Sequence, residues 1–145
     1  MAKKKVKIKE VQISTKGKSI NTSLKSIDYD SMNGKVAFES VVHNKTCSIS
    51  DWNGREFKLL IDCFQKIEKL SWKQIQSDPG LNFERNKNIA LPLPSNFPPD
   101  ANLCSIRVNQ KMRLYGYRVR EFFYIVWFDK NHLVCPMGKS KKYTA

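Results

Sequence analysis

Apolar and polar positions alternate most regularly between Ser105 and Tyr117, where Ile106, Val108, Met112 and Leu114 fill most of the even positions. The odd positions carry Ser105, Arg107, Asn109, Lys111, Arg113, Tyr115 and Tyr117. Successive side chains of a strand point to opposite faces, so this segment predicts one apolar face and one basic, aromatic face. A three-residue connection at Asn109-Gln110-Lys111 sets Val108 opposite Met112, Arg107 opposite Arg113 and Ile106 opposite Leu114. That register keeps the apolar set together, whereas a two-residue turn scrambles the faces. A second turn near Arg120-Glu121 brings Tyr124 beside Tyr117 and sends Phe123, Ile125 and Trp127 to the core. The run Phe122 to Phe128 is apolar on both faces and predicts an inner strand of the sheet.

Upstream the period changes. After the turn signal Asn33-Gly34, Val36 to Val42 predicts a strand whose partner the sequence does not identify. Ser48 to Asp51 supplies helix N-cap candidates. From Arg55 to about Gln76, Phe57, Leu60, Ile61, Phe64, Ile67 and Leu70 recur at three- and four-residue steps, with Lys58, Asp62, Lys66 and Lys69 opposite, the pattern of an amphipathic helix. The run from Ser71 either continues that helix or forms a short second one, and Asp78-Pro79-Gly80 stops it. Residues 91–103 contain four prolines and predict an extended connection from helix to sheet. The expectation is an α+β fold: a small antiparallel sheet, made of the C-terminal three-stranded meander plus a strand at 36–42, with one or two helices on one face. A basic arm (1–26), one domain (27–138) and a basic tail (139–145) make up the chain.

Charge points to the partner. The sequence has 26 Lys and Arg against 13 Asp and Glu, a formal net charge of +13, which favours a polyanion. Residues 1–26 hold eight lysines against the single acid Glu10. Such an arm is either a solvated extension or a grip on a nucleic-acid backbone. In the tail, Lys139, Lys141, Lys142 and Tyr143 offer a second basic contact. Cys47, Cys63, Cys104 and Cys135 form no close pair of the kind zinc sites use, so no metal or other cofactor is expected. No signal peptide, spanning segment or apolar anchoring face is visible, and the expectation is a reduced cytoplasmic protein with no membrane partner.

Two arginines opposite each other on paired strands repel. Arg107 facing Arg113 therefore implies either an anion at that place or neutralisation by nearby acids, Asp129 or Glu121. Tyr115, Tyr117 and Tyr124, with Arg118, offer surfaces for unstacked bases, and basic plus aromatic is a better RNA signal than basic alone. His132 follows in the turn Asp129-Lys130-Asn131-His132. A lone turn histidine is commonly an ordinary surface residue, but beside several cations it suits RNA cleavage. One group must take the proton of the ribose 2′-hydroxyl, another must protonate the leaving 5′-oxygen, and cations must hold the charge on phosphorus. His43 has no comparable company and is read as structural or solvent-exposed.

The pattern SIRVNQKMRLYGYR, a hydrophobic strand and then FDKNH resembles the C-terminal sheet of the RelE/ParE superfamily, most of all its HigB-like members. The resemblance covers about the last third of the chain, and the order of helix, connection and antiparallel strands agrees with it. It implies the toxin of a toxin–antitoxin pair, an endoribonuclease that cuts mRNA on the ribosome by 2′-hydroxyl attack and is held by a cognate antitoxin protein. On that resemblance Arg107 and Arg113 match strand cations that bind phosphate, His132 matches a late histidine, and Tyr143 stands where some members keep a terminal catalytic aromatic. Lys111 joins the cations from its place in the turn. Typical members are shorter, and the lysine arm and the 36–42 strand have no counterpart in them. Two other classes of function fit the same residues: a non-catalytic RNA- or ribosome-binding protein, and a phage or mobile-element accessory protein that binds another protein.

Overall fold

In the computed structural model, which describes residues 26–136, the amphipathic helix begins at Asn53. Asn53 Oδ1 accepts the Glu56 N–H at 2.9 Å and Glu56 Oε1 accepts the Asn53 N–H at 2.9 Å, a reciprocal capping box. The earlier cap candidates serve a single 3-10 turn, Ile49–Asp51, where the Ser48 side chain accepts from Ser50. Helix α1 (Gly54–Lys69) buries Leu60, Cys63 and Ile67. It stops at Leu70 because Ser71 and Gln74 form a second capping box, which starts α2 (Trp72–Ser77) in a new direction. The short second helix is therefore the outcome of the two readings.

The strands are β1 (Lys35–Ala37), β2 (Glu84–Arg85), β3 (Cys104–Arg107), β4 (Arg113–Val119) and β5 (Phe122–Asp129), in the sheet order β1-β5-β4-β3-β2. The fold is α+β. β1 is shorter than the 36–42 run and pairs with β5 in parallel, so the sheet is mixed where an antiparallel one was expected. A crossover through both helices separates β1 from β5, which is what a parallel pair requires. Gly34 leads into β1 against the α1–α2 junction, where a Cβ would press on Ile67 and Ile75.

The meander keeps its expected register: Ile106 faces Leu114, Arg107 faces Arg113, and the Val108 N–H donates to Met112 O at 2.9 Å across the three-residue connection. Tyr117 faces Tyr124 across the next turn. Trp127 is buried as expected, but not on the face that Phe123 and Ile125 occupy. A bulge between Tyr115 and Gly116 leaves Val126 as the extra residue of β5, so Trp127 comes opposite Tyr115 and Phe128 goes to the helix side. Gly116 is required there, since a Cβ would overlap the Tyr124 carbonyl oxygen.

Both faces of the sheet are covered. α1 and α2 pack over Ile106, Leu114, Phe123 and Ile125. The opposite face, expected to be basic and open, is a second core in which Tyr115, Tyr117 and Trp127 meet Leu103, Val134 and Cys47. The proline-rich segment supplies much of that cover, through Ile89, Leu91 and Phe97. It runs from β2 to β3, with the Asn86 N–H bonded to Leu103 O and the Ala90 N–H to Val134 O. Among the described residues no helix is long and apolar enough to cross a membrane.

Candidate functional site

Three charged residues form a row across adjacent strands at one end of the second face: Arg107 on β3, Arg113 on β4 and Asp129 on β5. Arg113 is the most committed. Only 5% exposed, it donates from Nη1 to the carbonyls of Asn109, Gln110 and Met112 at 2.8, 3.2 and 3.2 Å, and so stitches the turn that joins β3 to β4. Burial, and then the charge of Arg107, hold its pKa below the ordinary guanidinium value. Against the Arg107 charge, Arg113 is met by the turn carbonyls and by the electrostatic influence of Tyr115, Glu84 and Asp129, which act in the opposite direction.

Asp129 is fully buried and in register with Arg113, yet its oxygens are spent on backbone. Oδ1 accepts the Leu133 N–H at 2.9 Å and Oδ2 the Val134 N–H at 2.8 Å. These bonds fold residues 130–134 back on the end of β5 and hold His132 at φ 61°, in the left-handed region. Burial first, with the Asp129 carboxylate beside it, pushes the Cys47 thiol up to about 12. Tyr115 is pushed up by burial and by its contact with Cys135. Glu121, the other acid considered as a neutraliser, lies at the β4–β5 turn, where its carbonyl accepts from Lys35 N and Trp72 Nε1.

Several polar atoms of these strands and of the turn after β5 have no partner among the described residues. Arg107 Nε, both ring nitrogens of His132 and Trp127 Nε1 are covered and unbonded. A buried donor left unpaired costs roughly 1–3 kcal/mol, so such atoms gain most from an incoming acceptor. Lys111 is exposed at the tip of the turn, whose shape comes from Asn109 Oδ1 accepting the Lys111 and Met112 N–H groups at 2.9 and 2.8 Å.

The aromatic residues fall differently. Tyr115 is 1% and Tyr117 8% exposed, and both rings belong to the second core. Tyr117 also shares a hydrogen bond with Ser40 at 2.8 Å and stacks on Tyr124 with centroids 5.1 Å apart. Neither Tyr115 nor Tyr117 presents a face to a base, and Tyr124 has one face taken. The reason is the proline-rich cover, which the alternation of β4 cannot reveal. Arg118 sits on the helix side, paired with Asp30 at 2.7 Å and lying 4.4 Å from the Trp72 ring centroid. It is not brought together with Arg107 and Arg113. Exposed His43 borders an apolar groove beside α1. Lys139, Lys141, Lys142, Tyr143 and residues 1–25 of the arm lie outside the described residues.

The residue that sequence reasoning undervalued is Asp129, weighed only as a neutralising acid. Its position four and five residues before the N–H groups it binds was the available signal, since Asp side chains close tight turns on following backbone. Compared with protein-family models, curated proteins and solved structures, the chain matches none.

Proposed function

We propose that the protein is a metal-independent endoribonuclease of RelE/HigB type, acting on mRNA through Arg107 and Arg113, which face each other across β3 and β4, and through His132 in the turn after β5. The observation that carries this reading is that Arg107, which faces Arg113, keeps a covered Nε with no hydrogen-bond partner, and that both ring nitrogens of His132 are likewise unbonded. A phosphate accepts from Arg107 Nε and from the protonated ring nitrogen of His132, and relieves the Arg–Arg repulsion at the same time. Arg107 is the cation best placed to hold phosphorus oxygens, because Arg113 is occupied with turn carbonyls. Exposed Lys111 adds charge at the turn tip. His132 serves as acid or base, moving a proton from the 2′-hydroxyl or to the leaving 5′-oxygen, a contribution of about 10²–10⁴-fold in such reactions. The ribosome as the place of action and an antitoxin as the natural partner follow from the family resemblance.

A second reading, RNA binding without chemistry, is favoured by one observation: both His132 nitrogens are covered. Induced expression in a bacterium separates the two. The expected result is prompt growth arrest with cleaved transcripts, abolished by Arg107→Ala and by His132→Ala, and retained when residues 1–20 are removed. Normal growth with intact transcripts overturns the nuclease reading, and salt-sensitive RNA binding by the same protein then favours the second.

A further inference from the structure

On the opposite face of the sheet a separate pair of cations converges on a cavity of about 210 Å³. Arg85 on β2 stands opposite Cys104 on β3, and Cys104 opposite Gly116, two residues before Arg118 on β4. Arg85, Cys104 and Arg118 therefore share one side of the sheet and line the cavity together with Gln76 of α2, Phe83 and Asn102. Arg118 is held before any ligand arrives. Its Nε donates to Arg120 O at 2.7 Å, its Nη2 meets Asp30 at 2.7 Å, and Trp72 lies beneath the guanidinium. Two of its five N–H donors are thereby used. Arg85 is exposed and has no ion pair among the described residues. Both charges reach the Cys104 thiol, where they oppose the effect of burial. Asp100 is the one acid of the lining, and with Asp30 taken up by Arg118 the exposed Arg85 is the cation without an ion pair there.

We propose that this cavity binds a phosphomonoester, the phosphoryl end of a small molecule such as a mononucleotide. Guanidinium forks match phosphate oxygens in pairs, and a pre-fixed Arg118 loses little freedom on binding. The terminal phosphate of a monoester presents three oxygens, enough for the remaining N–H groups of Arg118 and the fork of Arg85 together, whereas an internal phosphodiester presents two. The cavity is also below the roughly 300–1,000 Å³ of sites that enclose whole drug-sized ligands, so it admits the phosphoryl group and the first atoms of its ester. The amides of Gln76 and Asn102 supply neutral donors beside the cations. This site lies across the sheet from Arg107 and does not depend on the nuclease reading.

The test is an NMR titration of the full-length protein with adenosine 5′-monophosphate, inorganic phosphate, adenosine, and an oligouridylate ending in hydroxyls. Adenosine 5′-monophosphate and phosphate are expected to shift the side-chain resonances of Arg85, Arg118, Gln76 and Asn102, saturating at about millimolar concentration, and adenosine is expected to leave them unmoved. Arg85→Ala, at an exposed position, should weaken binding about tenfold or more with an unchanged melting temperature. No saturable shift up to about 10 mM, undiminished affinity in Arg85→Ala, or a response to the oligouridylate alone each overturns the proposal.

Discussion

Arg107 and Arg113 look equivalent in the sequence, but their surroundings give them different work. Arg113 bonds three turn carbonyls and is almost wholly buried, so Arg113→Ala is expected to destabilise by on the order of 2 kcal/mol or more in urea unfolding. Arg107 carries a covered, unbonded Nε and faces a like charge. Arg107→Gln should leave stability unchanged or raise it, and on the proposed nuclease reading should remove activity, so Arg107 is a cleaner probe of that reading than Arg113. His132 is held in the left-handed region, which costs a non-glycine residue about 1–2 kcal/mol. His132→Gly is therefore expected to raise stability by about 1 kcal/mol and, on the proposed nuclease reading, to abolish transcript cleavage. A fall in stability would count against the strained turn.

The elements are joined by small polar devices at their ends. Asp78 ties the stop of α2 to α1: its Oδ2 accepts the Leu81 N–H at 2.7 Å and pairs with Lys66 at 2.9 Å. The Lys66 contact, aided by backbone N–H groups, holds its carboxyl below the usual carboxylate range. A depressed folded pKa stabilises above the unfolded value and is lost as pH falls through the folded one. Acid unfolding of the native protein should thus steepen below about pH 4, and Asp78→Asn should flatten that limb while lowering stability at neutral pH. Chemical denaturation repeated across that range checks both outcomes. In the sheet, the β4–β5 bulge depends on Gly116. Gly116→Ala must force apart two central strands, and a loss of about 3 kcal/mol or more, or failure to fold, is expected.

For the whole molecule, charge and fold are largely separate. Residues 26–136 hold 15 cations and 12 acids, a balance of +3 against +13 for the chain, so ten of the surplus charges lie in residues 1–25 and 137–145. If RNA is the partner, those ends supply most of the salt-dependent affinity. Removing residues 1–25 should flatten the dependence of log K on log salt by about 0.7 for each phosphate the arm neutralises, as read by titration of single-stranded RNA at several salt concentrations. An unchanged slope would assign phosphate binding to residues 26–145.

The sequence by itself determined whatever follows from local periodicity. The meander register, with Arg107 opposite Arg113 and Tyr117 opposite Tyr124, was legible because burying one apolar face permits a single pairing. The amphipathic period of α1 was legible for the same reason, but its end at Lys69, within a run that continues to about Gln76, was set by the Ser71–Gln74 capping box. Tertiary structure alone decided what covers each face. The parallel pairing of β1, the bulge that turns Trp127 away from the helices and the proline-rich lid over Tyr115 and Tyr117 join residues far apart in the chain. No period of two or 3.6 records such pairings. So the alternating cations could be aligned from sequence, but that Arg113 turns inward to its own hairpin while Arg107 keeps an unbonded Nε depended on the carbonyls that the folded turn presents.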